Sequence, residues 1–416
     1  MGYYTPINGG DLCTNEAPYC DMVSPITILR GIFFSSIFIV IYTHLLYPLG
    51  IGVLGSIRNE KPGQRETLPP VSLIIAAYNE EEIIAKKIKN SLELGYPAEK
   101  LEIIVFSDGS TDDTDKIVRS FADEGVRLVR IEGRVGKTEC QNRVVQKANG
   151  DIIIFSDANS MYESDAIRAL VSRFDEEVGC VIGGLYYEQA GEDRSGVLLY
   201  RRYERLIQRL ESEFGSVVKG NGAIYAVRAE DYFPLPLDVA SDFAEPLAIR
   251  TNGKKIKFAS RAIAKEQTRG DLDSELTAKN RITTRSWNTL SKYTELLNPL
   301  KYGAYAVQLW SRTVLLWFTP LFLGIASAAI CLLVWLKRTP FHVALFGGLV
   351  TAVASVSVTA ILQRRGRDLP FPFQALYFFA LSNYSLLVGL VNFLRGNNTV
   401  IWDTDNRPAT NEMGSQ

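Results

Sequence analysis

Four stretches of this chain contain no aspartate, glutamate, lysine or arginine: Gly31 to Ile57, Thr313 to Leu336, Thr339 to Gln363 and Leu369 to Leu394. A helix needs about 20 apolar residues to cross a bilayer core of roughly 30 Å, and each stretch is long enough. Charge closes each at both ends: Arg30 and Arg58, Arg312 and Lys337, Arg338 and Arg364, Asp368 and Arg395. Uncharged runs of this length are rare as core helices of soluble folds, so all four read as transmembrane helices. The first starts too late for a signal peptide and lacks a small-residue cleavage pattern; it reads as an anchor. The 45 basic and 46 acidic residues crowd into the remainder, which excludes a purely soluble enzyme. A net charge of −1 lacks the basic excess of a nucleic-acid binder, and no nucleic-acid partner is expected.

Loop lysines and arginines set the orientation. Arg58, Lys61 and Arg65 follow the first stretch, and Arg364, Arg365 and Arg367 follow the third, whereas the N-terminal tail holds Asp11, Glu16 and Asp21. The region between the first two stretches is therefore expected in the cytoplasm of an inner-membrane protein, with the N-terminus outside. The division that follows is an extracytoplasmic tail over 1–30, a span over 31–57 and a cytoplasmic domain over 58–297. An interfacial segment over 298–312, with Tyr302, Tyr305 and Trp310 as interface aromatics, precedes three spans over 313–394 and a tail over 395–416. Of five cysteines, Cys13 and Cys20 fall on the oxidising side and are candidates for a small disulfide loop. Their spacing and neighbours do not suggest a zinc site.

The charged insert alternates strands and helices. Strands are expected at Val71–Ala77, Leu101–Ser107, Val126–Ile131 and Asp151–Ser156. Helices are expected at Glu80–Leu94 (with Asn79 as N-cap), 112–124, Lys137–Ala148 and 196–213. The strands are short, β-branched and continuously apolar, as in a mostly parallel sheet covered on both faces; the fold class is α/β. Ligands bind such sheets at the carboxyl ends of the strands. Those ends carry Ala77-Tyr78-Asn79-Glu80, Ser107-Asp108-Gly109-Ser110 and Ser156-Asp157-Ala158-Asn159. The first strand–helix turn has no glycine-rich fingerprint, which argues against a dinucleotide. Asp157 and Asn159 offer two oxygen ligands suited to Mg2+ or Mn2+, with phosphate oxygens completing the shell. The basic, amphipathic 196–213 helix suits either an anionic membrane surface or the domain's own surface.

With these pieces in order, the chain resembles the membrane-embedded family 2 glycosyltransferases of the GT-A fold, of the exopolysaccharide, hyaluronan and poly-N-acetylglucosamine synthase type. The resemblance covers roughly residues 70 to 290 and rests on Ala-Tyr-Asn-Glu at 77–80, Asp-Gly-Ser at 108–110, Gly136-Lys137 and Asp157-Ala158-Asn159. It continues through Gly220-Asn221-Gly222-Ala223, Ser241-Asp242-Phe243 and Arg281, Arg285 and Trp287. It implies that Tyr78, Glu80 and Asp108 hold the uridine of a UDP-sugar, and that Lys137 reaches its diphosphate. Asp157 and Asn159 would hold the metal, Arg281 and Arg285 would cover the departing diphosphate, and Gly222 and Trp287 would line the acceptor site. Asp242 would be the general base; the bland role for it is N-cap of a helix Phe243–Thr251. The pattern departs from the processive members, which have Thr-Glu-Asp where this chain has Ala240-Ser241-Asp242. Ile282 stands where they have glutamine, and Ser286 separates Arg285 from Trp287. The expected function is inverting transfer from a UDP-sugar to a growing polysaccharide. The alternatives are single-sugar transfer to a lipid carrier or glycolipid, and an inactive nucleotide-sugar-binding scaffold. Membrane lipids, a second copy or a secretion partner complete the expected partners.

Overall fold

The computed structural model of the protein describes residues 24–58, 68–188, 195–267, 272–365, 367 and 370–396. Cys13, Cys20, the acidic tail and most of the linker after Arg58 lie outside the described residues.

Eight strands form one sheet: β1 (Val71–Ala77), β2 (Leu101–Asp108), β3 (Val126–Ile131), β4 (Ile152–Asp157), β5 (Met161–Tyr162), β6 (Val178–Glu188), β7 (Ile224–Arg228) and β8 (Lys255–Gln267). Their order is β3-β2-β1-β4-β7-β6-β8-β5. The β3-β2-β1-β4 half is all parallel. β7 then runs antiparallel between β4 and β6, and β6 pairs parallel with β8. Burial explains why the first strands read so clearly. Every residue of β1 is buried, with Leu73, Ile75 and Ala77 in one core and Ile74 and Ala76 in the other.

The helix after β1 starts at Ile84, not Glu80. Asn79 does not cap it. That residue adopts a left-handed φ of 47°, and its Oδ1 accepts from Thr111 N at 2.9 Å, lacing the β1 turn to the β2 turn instead. After β2 the expected helix is shorter, Thr114–Arg119, with a 3-10 turn at Ala122–Glu124.

Among the described residues, four helices are long and apolar enough to cross a membrane: Pro25–Ile57, Thr319–Leu336, Pro340–Arg364 and Phe371–Leu394. The second starts later than the charge-free stretch because the helical run from Trp310 to Trp317, its first turn π-helical, breaks at Phe318. Short helices Pro299–Tyr302 and Ala304–Leu309 precede that turn, broken at Gly303. Leu300 is 96% exposed and Trp310 41%, as an interfacial segment requires, but Tyr305 is 3% exposed. It is not an interface aromatic; it packs with Leu309, Val314, Trp317 and Trp287.

The basic helix is Ser195–Phe214. It bridges the sheet and the first span rather than lying bare on lipid. Its Ile207 packs on Tyr47 and Ile51, while Arg201 donates to Tyr187 Oη and Arg205 to the Leu185 carbonyl, each at 2.8 Å.

Candidate active site

The end of β4 delivers Asp157, and the helix Lys137–Val145 delivers its first residue toward it after Gly136, at φ 96°. Lys137 Nζ donates to Asp157 Oδ1. The loop 220–222 supplies the third side. A Cβ placed on Gly222 would lie 3.3 Å from Lys137 Nζ, 3.4 Å from Asp157 Oδ2 and 3.9 Å from Asp242 Cβ. An ammonium and two aspartates therefore converge on one point at the carboxyl edge of the sheet. Asn221 fixes the loop, donating to the Gly183 carbonyl at 2.8 Å and accepting from Ile224 N at 3.2 Å. At Gly220 a Cβ would sit 2.6 Å from the Asp242 carbonyl oxygen, so only glycine allows this approach.

Asp242 lies in the first turn of the helix Ser241–Thr251, whose N-cap is Ala240. The capping role is thereby removed. The residue is half-buried, and among the described residues its carboxylate has no hydrogen-bond or ion-pair partner. A carboxylate left without a partner is able to take up a proton. Its approach segment is held from two sides. Arg285 donates to the Val239 carbonyl, and Thr289 Oγ1 accepts from Ala240 N at 2.9 Å. Burial lowers the pKa of Arg285, with Asp242 and Asp238 opposing that shift. Arg285 is thus a clamp on the segment that leads into Asp242 rather than a solvated helix face, and Arg281 stands one turn earlier, half-buried.

Trp287 is 7% exposed. Its ring lies 4.8 Å from that of Trp317, 5.3 Å from Phe318 and 6.2 Å from Phe393. Expected to stack on an acceptor sugar, it instead welds the helix Leu272–Lys292 to the membrane segments, because that helix lies along the last span. Asp108 also differs from expectation. It is fully buried, and its oxygens accept from Val135 N at 2.9 Å and Gly136 N at 3.1 Å. It shapes the loop in front of Lys137 and does not face open space. Tyr78 and Glu80 are buried beside it, Glu80 N donating to Thr114 Oγ1 at 2.8 Å.

Two residues at the site escaped sequence reasoning. Arg134 stacks 3.5 Å over the Tyr78 ring, and nothing in its spacing announces that. Lys87 is fully buried beneath the Asp157–Asn159 turn, donating to the Ser160 carbonyl and lying 3.8 Å over the Tyr162 ring. Burial lowers its pKa to about 7, against the opposing pull of Asp157 and Glu266. A signal existed: Lys87 shares the apolar stripe of Ile84, Ile88 and Ser91. Tyr162 extends the support, its hydroxyl donating to the Ala223 carbonyl at 2.9 Å, so one core hydroxyl ties the β4 turn to the 220–222 loop.

The fit of a divalent cation can be judged from the donors. Among the described residues no group of three His, Cys, Asp or Glu is placed to hold one. Asp157 and Asn159 supply one carboxylate and one amide on a turn closed by Ser160 N to the Asp157 carbonyl, 3.2 Å. That is a fit for Mg2+ or Mn2+ shared with substrate phosphates, since such ions take few protein ligands.

Residues 72–233 match the family model described as glycosyl transferase family 2. This is a family 2 glycosyltransferase domain. A probable glycosyltransferase of Bacillus subtilis is 37% identical over 123 residues, 28% of this chain and 29% of that one. A beta-monoglucosyldiacylglycerol synthase of Nostoc is 35% identical over 162 residues, 37% of this chain and 34% of that one. A poly-beta-1,6-N-acetyl-D-glucosamine synthase of Staphylococcus aureus is 30% identical over 129 residues, 30% and 31% of the two chains. The matches therefore span about a third of those relatives' length. A solved mannosyltransferase of Pyrobaculum calidifontis, in complex with GDP-Man and Mn2+, superposes with a TM-score of 0.66 at 21% identity. That likeness covers 88% of this chain and 99% of the other, and it establishes a shared fold. The family 2 domain is thus a GT-A domain carried with four candidate membrane spans.

Proposed function

We propose that this domain transfers a sugar from a UDP-sugar to a hydroxyl of a membrane-held acceptor, with inversion at the anomeric carbon. The convergence of Lys137, Asp157 and Asp242 on the Gly222 position carries the reading. Displacement of a diphosphate by a hydroxyl needs a base beside the nucleophile and positive charge beside the leaving group. Asp242, open and unpaired, suits the first need; Lys137 suits the second. Asp157 and Asn159 are the residues to hold Mg2+ or Mn2+, which when bound neutralises charge on the diphosphate. Tyr78, Glu80 and Arg134 form the wall for the uridine. Asp108 acts through the loop it fastens, Arg285 through the base segment, and Gly222 keeps the space between the two aspartates open.

Polysaccharide extension and single-sugar transfer to a lipid use the same chemistry at this site. The spans separate them. Among the described residues only 22, 33, 6 and 17% of their apolar windows are buried within the chain, so most of their surface is open to lipid or to a lipid-borne molecule. This favours a lipid-borne acceptor, with the domain on the cytoplasmic face. The likeness to a diacylglycerol-linked glucoside synthase supports it; the polysaccharide synthase relative supports the other. The test is the full chain in membranes with radiolabelled UDP- and GDP-sugars, Mg2+ or Mn2+, and a native lipid extract. Label that partitions into organic solvent supports the lipid acceptor. A high-molecular-weight product supports the polymer, and absence of any product overturns the enzymatic reading.

A further inference from the structure

The loop that backs Asp242 is fastened from the membrane side. Residues 216–222 connect the helix Ser195–Phe214 to β7; the sheet holds them through Val217 N to the Ile256 carbonyl at 2.9 Å and Asn221 to the Gly183 carbonyl, and a second set of bonds comes from outside the sheet. Gln308 donates to the Ser216 carbonyl at 3.2 Å and Gln208 to the Lys219 carbonyl at 3.0 Å. Val218 N donates to Glu211 Oε2 at 3.1 Å. Glu211 is 1% exposed, and its other oxygen, Oε1, accepts from the Tyr47 hydroxyl at 2.8 Å. Tyr47 belongs to the first span. Arg312, just ahead of the second span, reaches the same oxygen at 3.6 Å and also pairs with Glu204. A single carboxylate thus joins the first membrane helix to the strand of backbone that leads into Gly220, Gly222 and the Asp242 contact.

A shallow open cleft lies along this junction, lined by Tyr200, Glu204, Gln208, Lys219, Gly220 and Asn221 among others. One wall touches the membrane helices, since the Tyr200 ring lies 5.8 Å from that of Phe378 in the last span. The other end is the loop beside Asp242.

We propose that Glu211 is a positioning residue that sets the 216–222 loop from the membrane side, so that the first span shapes the acceptor half of the site more than the donor half. This rests on the transferase reading above. Glutamine keeps one acceptor oxygen for Val218 N and can donate to the Tyr47 oxygen, but its amide then opposes the Arg312 guanidinium, a donor only, which also loses its counter-charge. An unmet buried amide or hydroxyl is costly, and the loop moves to relieve it.

The test uses the full chain in nanodiscs. Glu211→Gln is expected to raise the acceptor KM about tenfold, with kcat and donor KM held within about twofold. Tyr47→Phe, which removes one hydroxyl from a membrane helix, should raise it about threefold to fivefold. Glu213→Gln, on the same helix but in an exposed pair with Arg209, should change neither. Hydrogen exchange of the 216–222 amides gives a readout independent of catalysis: Tyr47→Phe should speed it severalfold while β1 stays protected. If Glu211→Gln does not fold, Tyr47→Phe alone decides. Equal effects on donor and acceptor KM, or unchanged exchange at 216–222 in Tyr47→Phe, overturn the proposal. If the wild-type chain transfers no sugar, the transferase reading fails and the exchange result still decides the coupling.

Discussion

Lys87 holds the Asp157–Asn159 turn at a cost to stability, and removing it should separate stability from binding. Its ammonium is fully buried, and burial lowers its pKa from 10.5 to about 7. In the unfolded chain the lysine stays protonated to about pH 10.4. Between pH 7 and 10 the unfolded state therefore binds more protons than the folded state, and stability rises with pH across that window. Below pH 7 both states are charged and the full penalty applies. The shift corresponds to about 5 kcal/mol as an upper bound, reduced by the bond to Ser160 and the Tyr162 ring. Lys87→Met deletes the penalty but leaves the Ser160 carbonyl without its donor, an offset of about 1–3 kcal/mol. The expected outcome at pH 6 is a variant as stable as the wild type or more so, with a flat stability profile from pH 7 to 9.5. Binding of UDP with Mn2+ should weaken about tenfold, because the turn is no longer held. Thermal unfolding of the full chain in detergent over that pH range, with calorimetric titration of UDP and Mn2+, makes the comparison. A Lys87→Met variant that keeps the wild-type pH slope, or binds UDP and Mn2+ unchanged, refutes the reasoning.

Four further outcomes are expected. Gly220→Ala pushes a methyl to 2.6 Å from the Asp242 carbonyl, so kcat should fall about 10- to 100-fold, as misplacement of a reacting group approaches 1 Å. Gly324→Ala, with nothing within 4 Å of its added carbon, should leave initial rates at wild-type values in the same assay. Glu245 is fully buried with both oxygens unpartnered, and desolvation raises its pKa well above the ordinary carboxyl value. The folded state then keeps a proton that the unfolded state loses above about pH 4.4, so Glu245 costs stability increasingly as pH rises to neutral. Glu245→Gln should raise the melting temperature at pH 7.5 and leave it unchanged at pH 4. On topology, a cysteine replacing exposed Arg202 should react with an impermeant thiol reagent only from the cytoplasmic side, and one replacing Lys337 only from outside.

β1, β2 and β4 were legible because they are buried on both faces over most of their length, so apolarity is nearly continuous and bounded by turns; β3 at the edge carries exposed Arg127 and Arg130, yet it and β1 have the expected limits. Strands β6 to β8 were not read. β8 alternates with charged residues such as Lys255, Lys257 and Lys265, β6 is interrupted by Gly183-Gly184, and the pairing of all three is set by partners distant in sequence. Asn79 shows a local rule overridden. Its residue type suits an N-cap, but the tie to Thr111 is worth more where two turns meet. Asp242 was identifiable, yet its freedom from capping depends on Ala240 starting the helix. Trp287 was misassigned because the sequence does not state which face of its helix meets the membrane segments. Lys137 and Asp157 are 20 residues apart along the chain, and Gly222 is more distant still. Only the sheet order brings all three to the same edge.

The central claim is that the point where Lys137, Asp157 and Asp242 meet is where the acceptor hydroxyl is deprotonated. It is tested most directly by Asp242→Asn in the full chain, with donor affinity and transfer rate measured on the same preparation. The account predicts a loss of transfer of about 10²- to 10⁴-fold with UDP-sugar affinity within about twofold of wild type. Transfer at the wild-type rate by Asp242→Asn would contradict it.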